Sequence, residues 1–350
     1  MPINPFRPSR RRSTQGATRH PHTLPSAPAP AHAPTPAAEP PYPRWGEAAD
    51  DPALNAVVGA AKAQDWPTLR AALAPYRADD RTELLEGLCA KRGTTLGTWL
   101  PEAIAGEQTD PLARTVLGAY TIHAAWVVRT AKPARKVSPE QMSRFHEMLR
   151  EAEQYLMDAT VMDPADSAPR YYLLKSGRGL TSDHTDLMHR FELVLKCSPG
   201  HCGAHEQMLQ VLCKKWHGSH EMMFEFARAA MRGPEAESVA ALVAQAHIEH
   251  WVYCKGDEEA DRFIRTPESR EELRQAADLT LFRPGYRSGR RPYKYANTFA
   301  FAFSLAEMWP EARLAFQAAD GVLNGYWLYL DREHPQDAFV AARAKALENA

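Results

Sequence analysis

The chain has 350 residues and a net charge of −1, long enough for one or two domains and too nearly neutral to coat nucleic acid as a whole. No apolar run approaches the roughly 18 residues of a membrane span, so none is expected. Five cysteines, an odd number, together with no apolar run in the first 12 residues, point to reduced thiols in a cytosol.

Residues 1–45 stand apart, with 12 prolines, six arginines and a single acid, Glu39. Their net +5 leaves −6 for the remainder. Such a segment has little to bury, so it is expected as a disordered arm with polyproline character. Arg7, Arg10, Arg11 and Arg12 could meet phosphates, but a lone charge run is ordinarily a solvated tail.

From 46 onward the pattern is helical. Asp51-Pro52 opens a helix over 53–63, and Asp65-Trp66-Pro67 opens a second carrying Leu69 and Leu73. A third covers 81–91 on Leu84, Leu85 and Leu88, and 93–106 reads as a break. Asp110-Pro111 starts a long helix to Arg129, whose face includes His123 as a half-buried core residue. Ser138-Pro139 caps the next, to about 161, with a stripe of Phe145, Leu149, Ala152, Leu156 and Ala159. Helices then follow near 166–178, 182–196, 201–216, 219–231 and 235–254. An acidic stretch at 257–272 and a basic one at 283–294 precede a last pair, 295–308 and 310–319. The patch Tyr326, Trp327 and Tyr329 closes the helical domain near 332, and 333–350 is a tail or short helix. No alternating strand pattern recurs.

Pro164, Pro199 and Pro234 lie 35 residues apart with their surroundings in register. Eight residues before each stand Leu156, Phe191 and Phe226, five before stand Ala159, Val194 and Ala229, and nine after stand Leu173, Met208 and Val243. A proline that ends one helix before the next begins is what a helix–turn–helix repeat requires. Leu187-x3-Phe191 to Pro199 and Met222-x3-Phe226 to Pro234 resemble the tetratricopeptide repeat, although Arg170, His205 and Ala240 replace its first-helix aromatic. Residues 214–221, Lys-Lys-Trp-His-Gly-Ser-His-Glu, are also similar to uncharacterised actinobacterial proteins with a Lys-Trp-Gly-Gly-Ser-His motif. The resemblance implies an all-α fold, a tetratricopeptide-like stack of antiparallel helix pairs (an α-solenoid) over 46–332. It also implies a concave groove lined by Tyr171, Lys175 and Arg178, then Glu206, Gln210, Cys213 and Lys214, then Ala241, Gln245, Ile248 and Glu249. Lys175, Arg178 and Lys214 would clamp a peptide carboxylate.

Other residue sets carry competing chemistry. Cys197, His201, Cys202, His205, Cys213, His217 and His220 are ligand types that zinc prefers, and His201 and His205 share a helix face. No standard metal spacing occurs among them, so packing and turn roles compete with a metal site of His201, His205, Cys213, His217 and His220. Ser219 reads as a helix cap rather than a nucleophile, and neither Gly177-Arg-Gly179 nor Ser182-Asp183-His184 makes a nucleotide loop or a triad. Arg283, Arg287, Arg290, Arg291 and Lys294 interleave with Tyr286, Tyr293 and Tyr295, as single-stranded nucleic acid would require. The acidic balance of 46–350 weighs against that partner. The favoured expectation is a non-catalytic scaffold that binds a protein or peptide and needs no cofactor. A metal protein or hydrolase built on the Cys197–His220 cluster, with zinc as its cofactor, is second, and nucleic-acid association third.

Overall fold

A computed structural model describes residues 42–45, 51–91, 95–107, 109–130, 136–181, 183–216, 218–286, 289–290 and 292–350, all within a unit running from Pro41 to Ala350. The expected disordered arm lies outside the described residues except for its last four. Helices open where short polar side chains satisfy free backbone amides. Asp51 accepts from the amides of Ala53 and Leu54 to start α1 (Pro52–Lys62), and Asp65 accepts from Thr68 to start α2 (Trp66–Leu73). After α3 (Ala78–Ala90) comes α4 (Leu96–Ala103), inside the stretch that reads as a break. Gly97 is there for packing: a Cβ at that position would lie 2.4 Å from the Tyr120 hydroxyl.

Asp110 caps α5 (Pro111–Arg129), and Ser138 with Gln141 forms a reciprocal capping box on α6 (Pro139–Met162). The stretch with the 35-residue proline spacing follows as α7 (Ser167–Leu180), α8 (His184–Leu195), α9 (Cys202–Leu212), α10 (His220–Arg232), the short α11 (Ala236–Val239) and α12 (Leu242–Tyr253). The helix expected over 201–216 ends at Leu212 and gives way to a 3-10 turn at Lys214–Trp216. The helix expected over 235–254 is broken between α11 and α12. α13 (Glu258–Ile264), α14 (Pro267–Leu279), α15 (Pro292–Leu305), α16 (Trp309–Ala319) and α17 (Pro335–Glu348) complete the chain. Among the described residues the only strands are β1 (Arg44–Trp45) and β2 (Val322–Leu323), which pair in parallel.

Leu156, Ala159, Phe191, Val194, Met208 and Val243 of the repeat register are all buried. Each large one contributes about 1.5–3 kcal/mol relative to exposure. In α10 the pattern slips by one residue. Met223 and Ala227 take the places of Leu187 and Phe191, while Ala229 is exposed. The slip arises in the 213–219 turn, since one residue rotates a helix by about 100°.

Neighbours in sequence pack together, α1 on α2, α5 on α6, α7 on α8 and α15 on α16. A second set of contacts joins α5 to α7, α7 to α9, α9 to α12 and α12 to α15. α3 packs against α5, α7 and α9. Its Arg81 guanidinium, fully buried, donates to Asp166 at the start of α7. No helix among the described residues is long and apolar enough to cross a membrane.

Candidate functional site

The residues expected to line a groove are largely engaged within the chain, one of them, Lys175, by α3. Lys175 Nζ lies 2.6 Å from both carboxylate oxygens of Glu86 on α3. Tyr171 is buried, edge-on to Tyr172 at 5.0 Å. Glu206 accepts from Lys294 at 2.5 Å, from the Tyr295 hydroxyl at 3.1 Å and from buried Gln245 at 3.0 Å. Gln210 donates to Glu249, which also takes Lys215 at 2.7 Å. Ala241, just before α12, and Ile248 within it are buried. Arg178 stacks its guanidinium on Trp126 and Trp216, 5.2 Å from each ring centre. Lys214 has a different situation. Its ammonium lies 5.1 Å from the Tyr253 ring centre, and among the described residues no acid pairs with it.

The histidines and cysteines singled out from the sequence do not gather into one ligand set. His201 is fully buried and stacked on Tyr171 at 5.4 Å. Its Nδ1 lies 2.8 Å from Asp79 Oδ1 and 3.2 Å from the Ala204 amide. One nitrogen cannot donate to the first while accepting from the second, and the shorter contact, to a carboxylate, is the stronger. Asp79 also accepts from the amides of Cys202 at 2.8 Å and Gly203 at 2.9 Å, so α3 caps α9 from outside. The His205 ring packs on Phe191, with its Nδ1 2.9 Å from the His201 carbonyl. Burial lowers its pKa. Cys213 donates to the Leu209 carbonyl, and burial, then Glu249, pushes its thiol up to about 12. Burial holds Cys89 and Cys202 equally high, which makes them poor nucleophiles. Cys197 Sγ sits 3.5 Å from the Pro164 carbonyl oxygen, and His217 lies outside the described residues. The Ser219 hydroxyl accepts from the Met222 amide at 3.1 Å and caps α10.

Of the expected ligands among the described residues, only His220 joins a compact donor set. His220, His250 and Cys254 place their ligand atoms within 4.8 Å of one another, the one such group among the described residues. His250 and Cys254 stand one turn apart at the end of α12, and His220 is the first residue of α10. This separation of four at a helix end was visible in the sequence but not paired there with His220, 30 residues earlier. Aromatic rings hold the imidazoles: His220 meets His250 at 4.6 Å and Tyr253 at 5.2 Å, and His250 meets Phe263 at 4.5 Å. Burial, His220 and His247 bring the His250 pKa down to about 4, while burial and Lys214 lower that of His220.

Beside this set opens a cleft of about 310 Å³, lined by Cys213, Lys214, Lys215, His220, Met223, Glu249, Val252 and Tyr253. In the turn before α10, a Cβ at Gly218 would stand 2.0 Å from the Leu212 carbonyl oxygen. Gly218 therefore lets the chain turn tightly from α9 into α10.

The basic segment 283–294 is largely neutralised. Arg283 pairs with Glu237 at 2.6 Å, Arg290 pairs with Asp51 and stacks on Tyr76, and Lys294 is taken by Glu206. Arg287 and Arg291, like the arginines of the arm, lie outside the described residues. Phosphate contacts require unpaired cations, and these acids compete for three of them. Compared with models of known protein families and with curated proteins, the chain matches none.

Proposed function

We propose that the protein is a non-catalytic scaffold, a divergent tetratricopeptide-like stack, that binds the carboxylate end of a peptide in the cleft between α9, α10 and α12. The succession of contacts α5–α7–α9–α12–α15, each helix with a second one packed beside it, supports the stack. The observation that carries the site is Lys214. It is a cation without an acidic partner among the described residues, beside the half-exposed ring of Tyr253 and an apolar wall of Met223 and Val252. An ammonium next to an apolar surface suits a terminal carboxylate followed inward by an aliphatic or aromatic side chain. Lys175, already committed to Glu86, has no part in this clamp, and α3 covers the face that a longer peptide would need. The unpaired thiols of all five cysteines support a reducing, cytoplasmic setting.

The test is selection from a library of peptides with free, randomised C-termini, followed by calorimetry on the enriched sequences. Lys214→Glu should weaken them by tenfold or more, as about 1.4 kcal/mol of a charge-assisted contact implies. Blocking the peptide C-terminus as an amide should weaken binding equally. Enriched peptides that bind Lys214→Glu as tightly as the wild type would remove the cleft from consideration.

A further inference from the structure

We propose that His220, His250 and Cys254 form a zinc-binding site, with three protein ligands and a fourth position for water. The site stands independently of peptide binding: the metal can be held whether or not the cleft takes a peptide. Three observations converge on it. The donor atoms of three different side chains, from the start of one helix and the end of another, meet within 4.8 Å. Nδ1 of His220 and Nδ1 of His250 are both buried with no hydrogen-bond partner among the described residues. Buried polar atoms are nearly always satisfied, and a bound ion is one of the few explanations for a clustered pair that is not. Finally, the rings are fixed by Phe263, Tyr253 and Phe224 rather than left to rotate in solvent.

The donors also select the metal. Two imidazoles and a thiol suit a borderline cation such as Zn²⁺, whereas calcium and magnesium require oxygens, which this set lacks. With Zn–N near 2.05 Å and Zn–S near 2.3 Å, the edges of a tetrahedron are about 3.3–3.6 Å, so no pair of donors has to close by more than about 1.5 Å on binding. Cys254 binds as thiolate and its proton goes to solvent. Lys214, near His220, opposes the metal charge, and the thiolate offsets it.

The experiment uses the full-length protein, stripped with a chelator and titrated with Co²⁺ and then Zn²⁺. One equivalent of Co²⁺ should bind with the visible bands of a tetrahedral site and a thiolate-to-cobalt charge-transfer band, and Zn²⁺ should displace it. Cys254→Ser should abolish the charge-transfer band while leaving the far-ultraviolet circular dichroism unchanged. His220→Ala should weaken Zn²⁺ at least tenfold against a competing chromophoric chelator. His250 packs on Phe263, so its replacement risks the fold, and Cys254→Ser is the deciding variant. Absence of stoichiometric binding, or a charge-transfer band that survives in Cys254→Ser, overturns the assignment.

Discussion

Replacing Asp79 tests whether α3 is a structural part of the helical stack. Its carboxylate reaches 123 residues along the chain to accept from the Cys202 amide, and it also holds the Gly203 amide and the buried His201 ring. Hydrogen bonds to a charged group contribute about 1.5–3 kcal/mol each. Water replaces part of this, since the Asp79 side chain is 29% exposed. Asp79→Ala should therefore cost about 3 kcal/mol, which at a urea slope near 3 kcal/mol/M lowers the midpoint by about 1 M. Circular dichroism during urea unfolding measures it. The pH dependence adds an independent check. Burial raises the Asp79 pKa, but His201 and the two amides outweigh it, and the net value lies below that of a free carboxyl. A group lowered on folding stabilises above its unfolded pKa, about 4 for Asp, and the contribution fades as pH falls through the folded value. The gap between wild type and Asp79→Asn should be full at neutral pH and close below about pH 4. A midpoint change for Asp79→Ala under about 0.2 M, or an Asp79→Asn gap that persists undiminished near pH 3, would refute this role.

Further substitutions probe the same framework. Asp166→Asn keeps an oxygen for the α7 cap but leaves the buried Arg81 charge uncompensated, and should cost about 3–5 kcal/mol in urea unfolding. Adding Arg81→Met should return a large share of that loss, and failure to do so would mean the charge is not what matters. Gly218→Ala forces a Cβ against the Leu212 carbonyl and should destabilise by about 1–3 kcal/mol, while a melting temperature equal to wild type would contradict the tight turn. Asn297→Ala strands the Trp327 indole N–H and the Val322 carbonyl, both buried, and should cost about 2–4 kcal/mol in thermal melts. An unchanged Trp327 fluorescence and melting temperature would count against that network.

Features set by a few neighbouring residues were legible in the sequence. Asp51, Asp65, Asp110, Ser138 and Ser219 all cap the helices their spacing indicated, because a cap involves only the next three amides. The stretch around Gly97 was misread because a glycine admitted for contact with Tyr120 looks the same as one marking a loop. The one-residue slip in α10 was not legible because Met222 and Met223 are the same residue type, so the spacing alone does not say which one faces inward. For the candidate site, Lys214 was identifiable from the repeat register, but the engagement of Lys175 was not, since Glu86 lies 89 residues earlier. The pairing of His250 and Cys254 with His220 is not legible in the sequence because the third donor comes from another helix, 30 residues earlier.

The placement of α3 bears on how this fold can change over evolutionary time. An open helical array tolerates gain or loss of a unit, since each contacts only its neighbours. Here one helix spans α5, α7 and α9, with Arg81 at the start of α7 and Asp79 at the start of α9. A duplicated pair inserted between them would pull Asp79 off its amides and strand the Arg81 charge. The pairing of β1 with β2 ties Arg44 to Val322 across the whole array. α3 and this strand pair thus act as a ruler, and the number of helices between their contact points is fixed by contacts made far along the chain.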